Sequence, residues 1–152
     1  LLAKSLDESS QQTLLGAALL SLEVIINYRR RYGARMDVSG SLDLVLMNTE
    51  NPRSLLFQLE LLTQHIGSLP IPEESKSELS EEARAVIQAE TAVKLTRLSE
   101  LNIAKDGVRE NLVDYLEQIK TLLGSASDII SQKYFEHRET SRQLVSNTWE
   151  NP

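Results

Sequence analysis

The stretch from Val108 to Ile129 constrains this chain most. Val108, Leu112, Tyr115, Ile119, Leu122, Ala126 and Ile129 follow one another at spacings that alternate four and three. That rhythm keeps to one face of an α-helix for three heptads. A strand, whose side chains repeat every second residue, cannot carry it. Leu116, Leu123 and Ile130 widen the stripe, so this helix calls for apolar neighbours on two sides.

The rest of the chain offers those neighbours as further helices. Leu15, Leu19, Leu22 and Ile26 share a face and predict one helix from about Gln11 to Tyr32. Gly33 ends it as the residue that turns left-handed without a Cβ clash. Leu42, Leu44, Val45 and Leu46 mark a short helix over about 39–47. That run is also strand-like, but no second strand is available to pair with it. Asn51-Pro52-Arg53-Ser54 reads as a helix start, with Asn51 as the cap and Pro52 in the first turn. Leu55, Leu59, Leu62 and Ile66 carry that helix to about Gly67, and Leu69-Pro70-Ile71-Pro72 breaks the chain. Ser75 and Glu78 have capping-box spacing. They open a helix to about Leu98 that carries Ala83, Val86, Ile87, Val93 and Leu95. Asn102 and Asp106-Gly107 form the loop before the last helix.

The expected architecture is all-α: an antiparallel helical bundle of four long helices plus one short helix, because short connections favour antiparallel neighbours. The bundle covers residues 1–138. Residues 139–152 form a polar C-terminal tail, apart from Trp149.

Composition excludes several classes of function. The net charge of -6 leaves no general basic face for nucleic acid. No run approaches the roughly 18 uninterrupted apolar residues of a membrane span. With no cysteine there is neither a disulfide nor a thiolate metal site, which fits a cytoplasmic location. The two histidines, His65 and His137, follow Leu62 and Tyr134 three residues earlier. The Glu-x-x-His spacing of helical di-metal sites is therefore missing, and no metal is expected. There is no Gly-x-Ser-x-Gly elbow and no phosphate loop, so no catalytic residue and no cofactor are assigned.

One local feature stands out. Tyr28-Arg29-Arg30-Arg31-Tyr32, followed by Arg35, places four arginines within seven positions of an acidic chain. Three readings are open. The arginines complement the helix dipole at a C-terminus and are otherwise solvated. They pair with Asp37, Asp43 or Glu50 and order the helix junction. Or they form a site for an anion or an acidic partner, since guanidinium forks match carboxylate and phosphate. Arg53, read in the first turn of its helix, is opposed by the dipole and needs a holder. Asp43 or a bound anion would serve, and Asp43, Asn51, Glu90 and His137 are the candidates for a structural network. Glu90 falls on a semi-apolar stripe, either as a paired acid or as the stripe's edge. His65 is expected to be exposed, and Tyr134-Phe135 with His137 to seal the end of the bundle.

Tyr28-Arg-Arg-Arg-Tyr32, the Leu42-Asp43-Leu44 run, Asn51-Pro-Arg-Ser54, Gln58-Leu59 and the closing Tyr134-Phe135-x-His137 occur in the order found in the bacterial alpha-E family, a domain of unknown function. The chain resembles that family over about residues 20–145. The resemblance implies a C-terminal portion, because family members are about twice this length and carry an Arg- and Glu-rich motif in their N-terminal half. It further implies a setting beside an ATP-grasp ligase and a transglutaminase-like peptidase, in a peptide-ligation or peptide-tagging system.

Three functional readings follow. The first is a non-catalytic accessory or interaction module that docks on an ATP-grasp-type ligase through Arg29–Arg35 and Arg53. The second is part of an enzyme whose N-terminal half supplies catalytic glutamates. The third is a structural domain that forms a homo-oligomer through surplus apolar surface on the last helix. The residues favour the first.

Overall fold

The computed structural model describes residues 6–69 and 78–136. The expected Pro70–Pro72 break, the Ser75 cap, His137, Trp149 and the polar tail lie outside them. Among the described residues seven α-helices run in order: α1 Glu8–Ser21, α2 Ile25–Tyr32, α3 Val38–Leu42, α4 Leu55–Gly67, α5 Glu81–Lys94, α6 Leu98–Leu101 and α7 Glu110–Ser131. A π turn, Asp43–Met47, prolongs α3, and another, Gln132–Glu136, prolongs α7. Among the described residues the only β pairing is an isolated bridge between Lys105 and Val108. It closes a two-residue turn in which Asp106 has φ 50° and Gly107 φ 76°, the left-handed pair that Asp-Gly favours in such turns.

The helix expected from Gln11 to Tyr32 is in fact two helices. Asp7 caps α1 by accepting from the Ser10 N–H at 3.0 Å. The helix then ends at Leu22 in a Schellman motif. The Val24 N–H donates to the Leu19 carbonyl and the Glu23 N–H to the Leu20 carbonyl, both at 2.9 Å. Glu23 takes the left-handed position at φ 59°, where glycine is usual. Val24 and Leu19, each 1% exposed, supply the apolar pair that goes with this motif. The break shifts the helical phase. Val24 and Tyr28 turn inward, while Leu22 and Ile26, expected inside, are exposed.

Two further boundaries are corrected. Ser54, and not Asn51, caps α4, accepting from the Phe57 N–H at 3.1 Å. The expected helix to Leu98 starts under the cap of Ser80 and stops at Lys94, which leaves Leu95 76% exposed. Beyond it, Arg97 starts the short α6.

Helices α4, α5 and α7 form the centre, with α5 in the middle. Contacts along α5 set their directions. Glu60 and Thr63 of α4 meet Lys94 and Glu90 of α5. Glu82 at the start of α5 meets Lys133 just beyond the end of α7. Both pairings run antiparallel. Helix α5 buries Ala85, Val86, Ala89 and Val93, and its small residues allow close approach on both sides. Helix α7 buries Leu112, Tyr115, Ile119 and Ala126. Helices α1 to α3 complete the core with Leu15, Leu19, Val24, Tyr28 and Leu42.

Candidate functional site

The Tyr-Arg-Arg-Arg-Tyr segment sits on α2, and its two tyrosines share one face because they are four residues apart. Their ring centroids are 5.0 Å apart. Tyr28 is completely buried. Its hydroxyl accepts from the Asp37 N–H at 2.9 Å and donates to the Asp37 carboxylate at 3.1 Å. The other oxygen of that carboxylate accepts from the Gly40 N–H at 2.8 Å and so caps α3. Gly40 is needed here because a Cβ would stand 3.1 Å from the Tyr28 hydroxyl and 3.2 Å from the Tyr32 ring. Tyr32 donates its hydroxyl to Asp43. Burial first, and then the Asp43 carboxylate, push its phenol up to about 12. The Tyr28 phenol is also raised, chiefly by burial.

These contacts leave the arginines in different situations. Arg31 stands 3.9 Å from both Asp43 and Glu50, and 5.8 Å from the centroid of the Tyr32 ring. Arg35 pairs with Glu8 at 2.8 Å on the surface. Arg53 precedes the cap of α4, so it is not in the helix's first turn, and its partner is Glu23 and not Asp43. Arg29 and Arg30 are exposed and have no ion-pair partner among the described residues.

Asn51 is buried and shapes the turn beneath this surface. Its side-chain amide donates to the Leu44 carbonyl at 2.9 Å, a carbonyl left near the end of the π turn. Its side-chain oxygen accepts from the Arg53 N–H at 3.1 Å. Ser54, also fully buried, donates to the Asn48 carbonyl. The Asn-Pro-Arg-Ser motif therefore fastens the π turn to α4. Between α2 and this turn opens a cleft of about 370 Å³, lined by Asn27, Arg30, Arg31, Leu44, Asn48, Glu50 and Asn51.

Glu90 belongs to a separate place, the α4–α5 interface. It accepts from Thr63 at 2.5 Å and from Lys94 at 2.7 Å. Lys94, and then Thr63, hold its carboxyl below the usual carboxylate range. It is a paired acid, apart from Asp43 and Asn51. Sequence reasoning missed Glu82, whose side chain is 3% exposed and accepts from Lys133 at 2.6 Å and from Tyr134 at 3.0 Å. Burial alone would raise its carboxyl. The Lys133 ammonium, its own backbone N–H and the Tyr134 and Ser80 hydroxyls outweigh that, and hold it at about 2. Among the described residues, no group of three or more His, Asp or Glu side chains is placed to hold a metal ion, and no helix is long and apolar enough to cross a membrane.

The fold and this surface define an all-helical domain with a tyrosine-arginine face and no strands among the described residues. Residues 1–135 match the alpha-E family, described as "a predicted alpha-helical domain with a conserved ER motif". The chain belongs to the alpha-E family. It is similar to uncharacterised proteins of Mycobacterium tuberculosis and Mycobacterium bovis, each 30% identical over 124 residues. That match covers 81% of this chain and 14% of each relative, so the chain spans a small part of the relatives' length. No solved structure matches it.

Proposed function

We propose that this domain is a non-catalytic docking module that receives an acidic partner on the α2 face, the partner being an ATP-grasp-type ligase in a peptide-ligation or peptide-tagging system. One observation carries the reading. Arg29 and Arg30 stand exposed, with no ion-pair partner among the described residues, on a helix whose other side is locked by buried Tyr28. Guanidinium groups on a rigid element, with no carboxylate of the described residues using them, favour a partner that brings its own carboxylates. The surrounding arginines differ, since Arg31, Arg35 and Arg53 already face Asp43 or Glu50, Glu8 and Glu23.

The test is capture of the neighbouring ligase by the 152-residue chain, with the wild type and an Arg29→Glu, Arg30→Glu variant. Both positions are exposed, so the fold is expected to survive the change. Loss of capture in the variant supports the reading. Equal capture by both removes the role of these arginines. The ligase partner itself rests on the family resemblance, and a wild-type chain that fails to retain the ligase overturns it.

A further inference from the structure

The cleft beside Arg30 holds polar groups that the fold leaves unused. Asn51 is held at both the nitrogen and the oxygen of its side-chain amide and acts as a wall. The side chains of Asn27 and Arg30 make no hydrogen bond or ion pair with the described residues. The Asn48 side-chain carbonyl accepts from the Glu50 N–H at 2.8 Å, which leaves its amide N–H donors to the cleft. Arg31 meets its two carboxylates only at 3.9 Å, beyond hydrogen-bond length.

The charge and chemistry of this lining select among occupants. Arg30 and Arg31 are offset by Glu50 on the rim and Asp43 nearby, so the local formal charge is close to zero. A dianionic phosphate would face Glu50 with too little positive charge in excess. A single carboxylate gains a planar guanidinium fork and meets less repulsion. Asn27 and Asn48 each carry an amide, which offers both donor and acceptor and so complements a peptide group. The volume of about 370 Å³ is that of a small-ligand cleft.

We infer that this cleft binds a carboxylate-bearing peptide segment, with Arg30 forking the carboxylate and Asn27 and Asn48 engaging the flanking peptide groups. The inference rests on the docking reading above and deepens it by naming the group the partner presents. In the bound state Arg31 adds a second cation, since its hold on Asp43 and Glu50 is loose. The walls are already formed, because Asn51 and Ser54 fasten the turn and buried Tyr28 fixes α2.

The test is a titration of the ¹⁵N-labelled 152-residue chain, followed by amide shifts. Three probes are compared: acetyl-Gly-Asp-Gly-amide, the same peptide with Asn for Asp, and inorganic phosphate. The Asp peptide is expected to move resonances at 27–31 and 44–51. The Asn peptide is expected to bind about tenfold more weakly, and phosphate more weakly than the Asp peptide. Arg30→Ala is expected to reduce Asp-peptide affinity by about tenfold. Equal binding of the Asp and Asn peptides, tighter binding of phosphate, or shifts confined to other regions would overturn the inference.

Asn27→Leu separates this inference from the docking reading, because it alters the cleft and leaves every arginine in place. If ligase capture fails with Arg29→Glu, Arg30→Glu and also with Asn27→Leu, both stand. If only the charge reversal abolishes capture, docking stands and the cleft has no part in it. Peptide binding with the stated preferences, but without any ligase capture, keeps the cleft assignment and overturns the ligase as partner.

Discussion

Replacing Glu82 with Gln tests the ion pair by which this buried carboxylate joins the start of α5 to the end of α7. Glu82 lies in the first turn of α5 and reaches Lys133 and Tyr134 beyond α7. Its folded carboxyl is held at about 2, against 4.5 for an unperturbed glutamate. A lowered folded value means that the ionised form stabilises the fold. The contribution is complete above about pH 5 and is lost as the pH falls towards 2. At about 1.4 kcal/mol per tenfold, the full contribution is about 3 kcal/mol, of which about 2 is gone by pH 3. Gln keeps the shape and removes the titration. The assay is urea unfolding followed by far-UV circular dichroism from pH 7 to pH 3, on wild type and Glu82→Gln. The wild type is expected to lose about 2 kcal/mol more than the variant over that range. Lys133→Met removes the largest influence that lowers the carboxyl, so its stability is expected to fall less steeply in acid than that of the wild type. That variant is expected to lose about 3 kcal/mol at pH 7. Parallel pH curves for wild type and Glu82→Gln would refute the reasoning.

Three further outcomes follow from the α1–α4 region. Gly40→Ala is expected to destabilise by about 1 kcal/mol, since crowding of about 1–3 kcal/mol against two fastened tyrosines exceeds the helix propensity gained; thermal melting checks it. Glu23→Gly is expected to stabilise by up to about 1 kcal/mol, because glycine relieves the left-handed strain at the end of α1; a lower melting temperature would count against the Schellman account. Arg35→Ala is expected to change stability by less than about 0.5 kcal/mol in chemical denaturation, because its pair with Glu8 is exposed on both sides.

The interior of the helices was legible in the sequence and their ends were less so, for a physical reason. Periodicity reports which residues share a face as long as the helix keeps its phase. Leu112, Tyr115, Ile119 and Ala126 keep phase through α7 and are buried. Leu15, Leu19, Leu22 and Ile26 show the same rhythm, yet the last two are exposed because the chain resets its phase at Glu23. The reset carries no Gly or Pro to announce it. What it does carry is the placement of Val24 five residues after Leu19, and that placement is visible only to a reader who tests a left-handed glutamate.

The site divides in the same way. The Tyr28–Arg31 segment was legible because its spacing is local, and Tyr28 and Tyr32 do share a face. The partners of the arginines depend on chain reversals that spacing does not encode. In the sequence Arg53 reads as helical, because Asn51-Pro52 satisfies a helix start as readily as it satisfies a turn. Two residues later Ser54 takes the cap, which moves Arg53 out of the helix and towards Glu23. Glu82 was hidden more thoroughly. Next to Glu81 at a helix start it looks like an ordinary first-turn acid, and its partners lie 51 and 52 residues away. Such a pair has to be found from its cation: Lys133 and Tyr134 follow the apolar stripe of α7 directly, so the antiparallel packing that the stripe demands brings them to the start of α5, where Glu82 is buried.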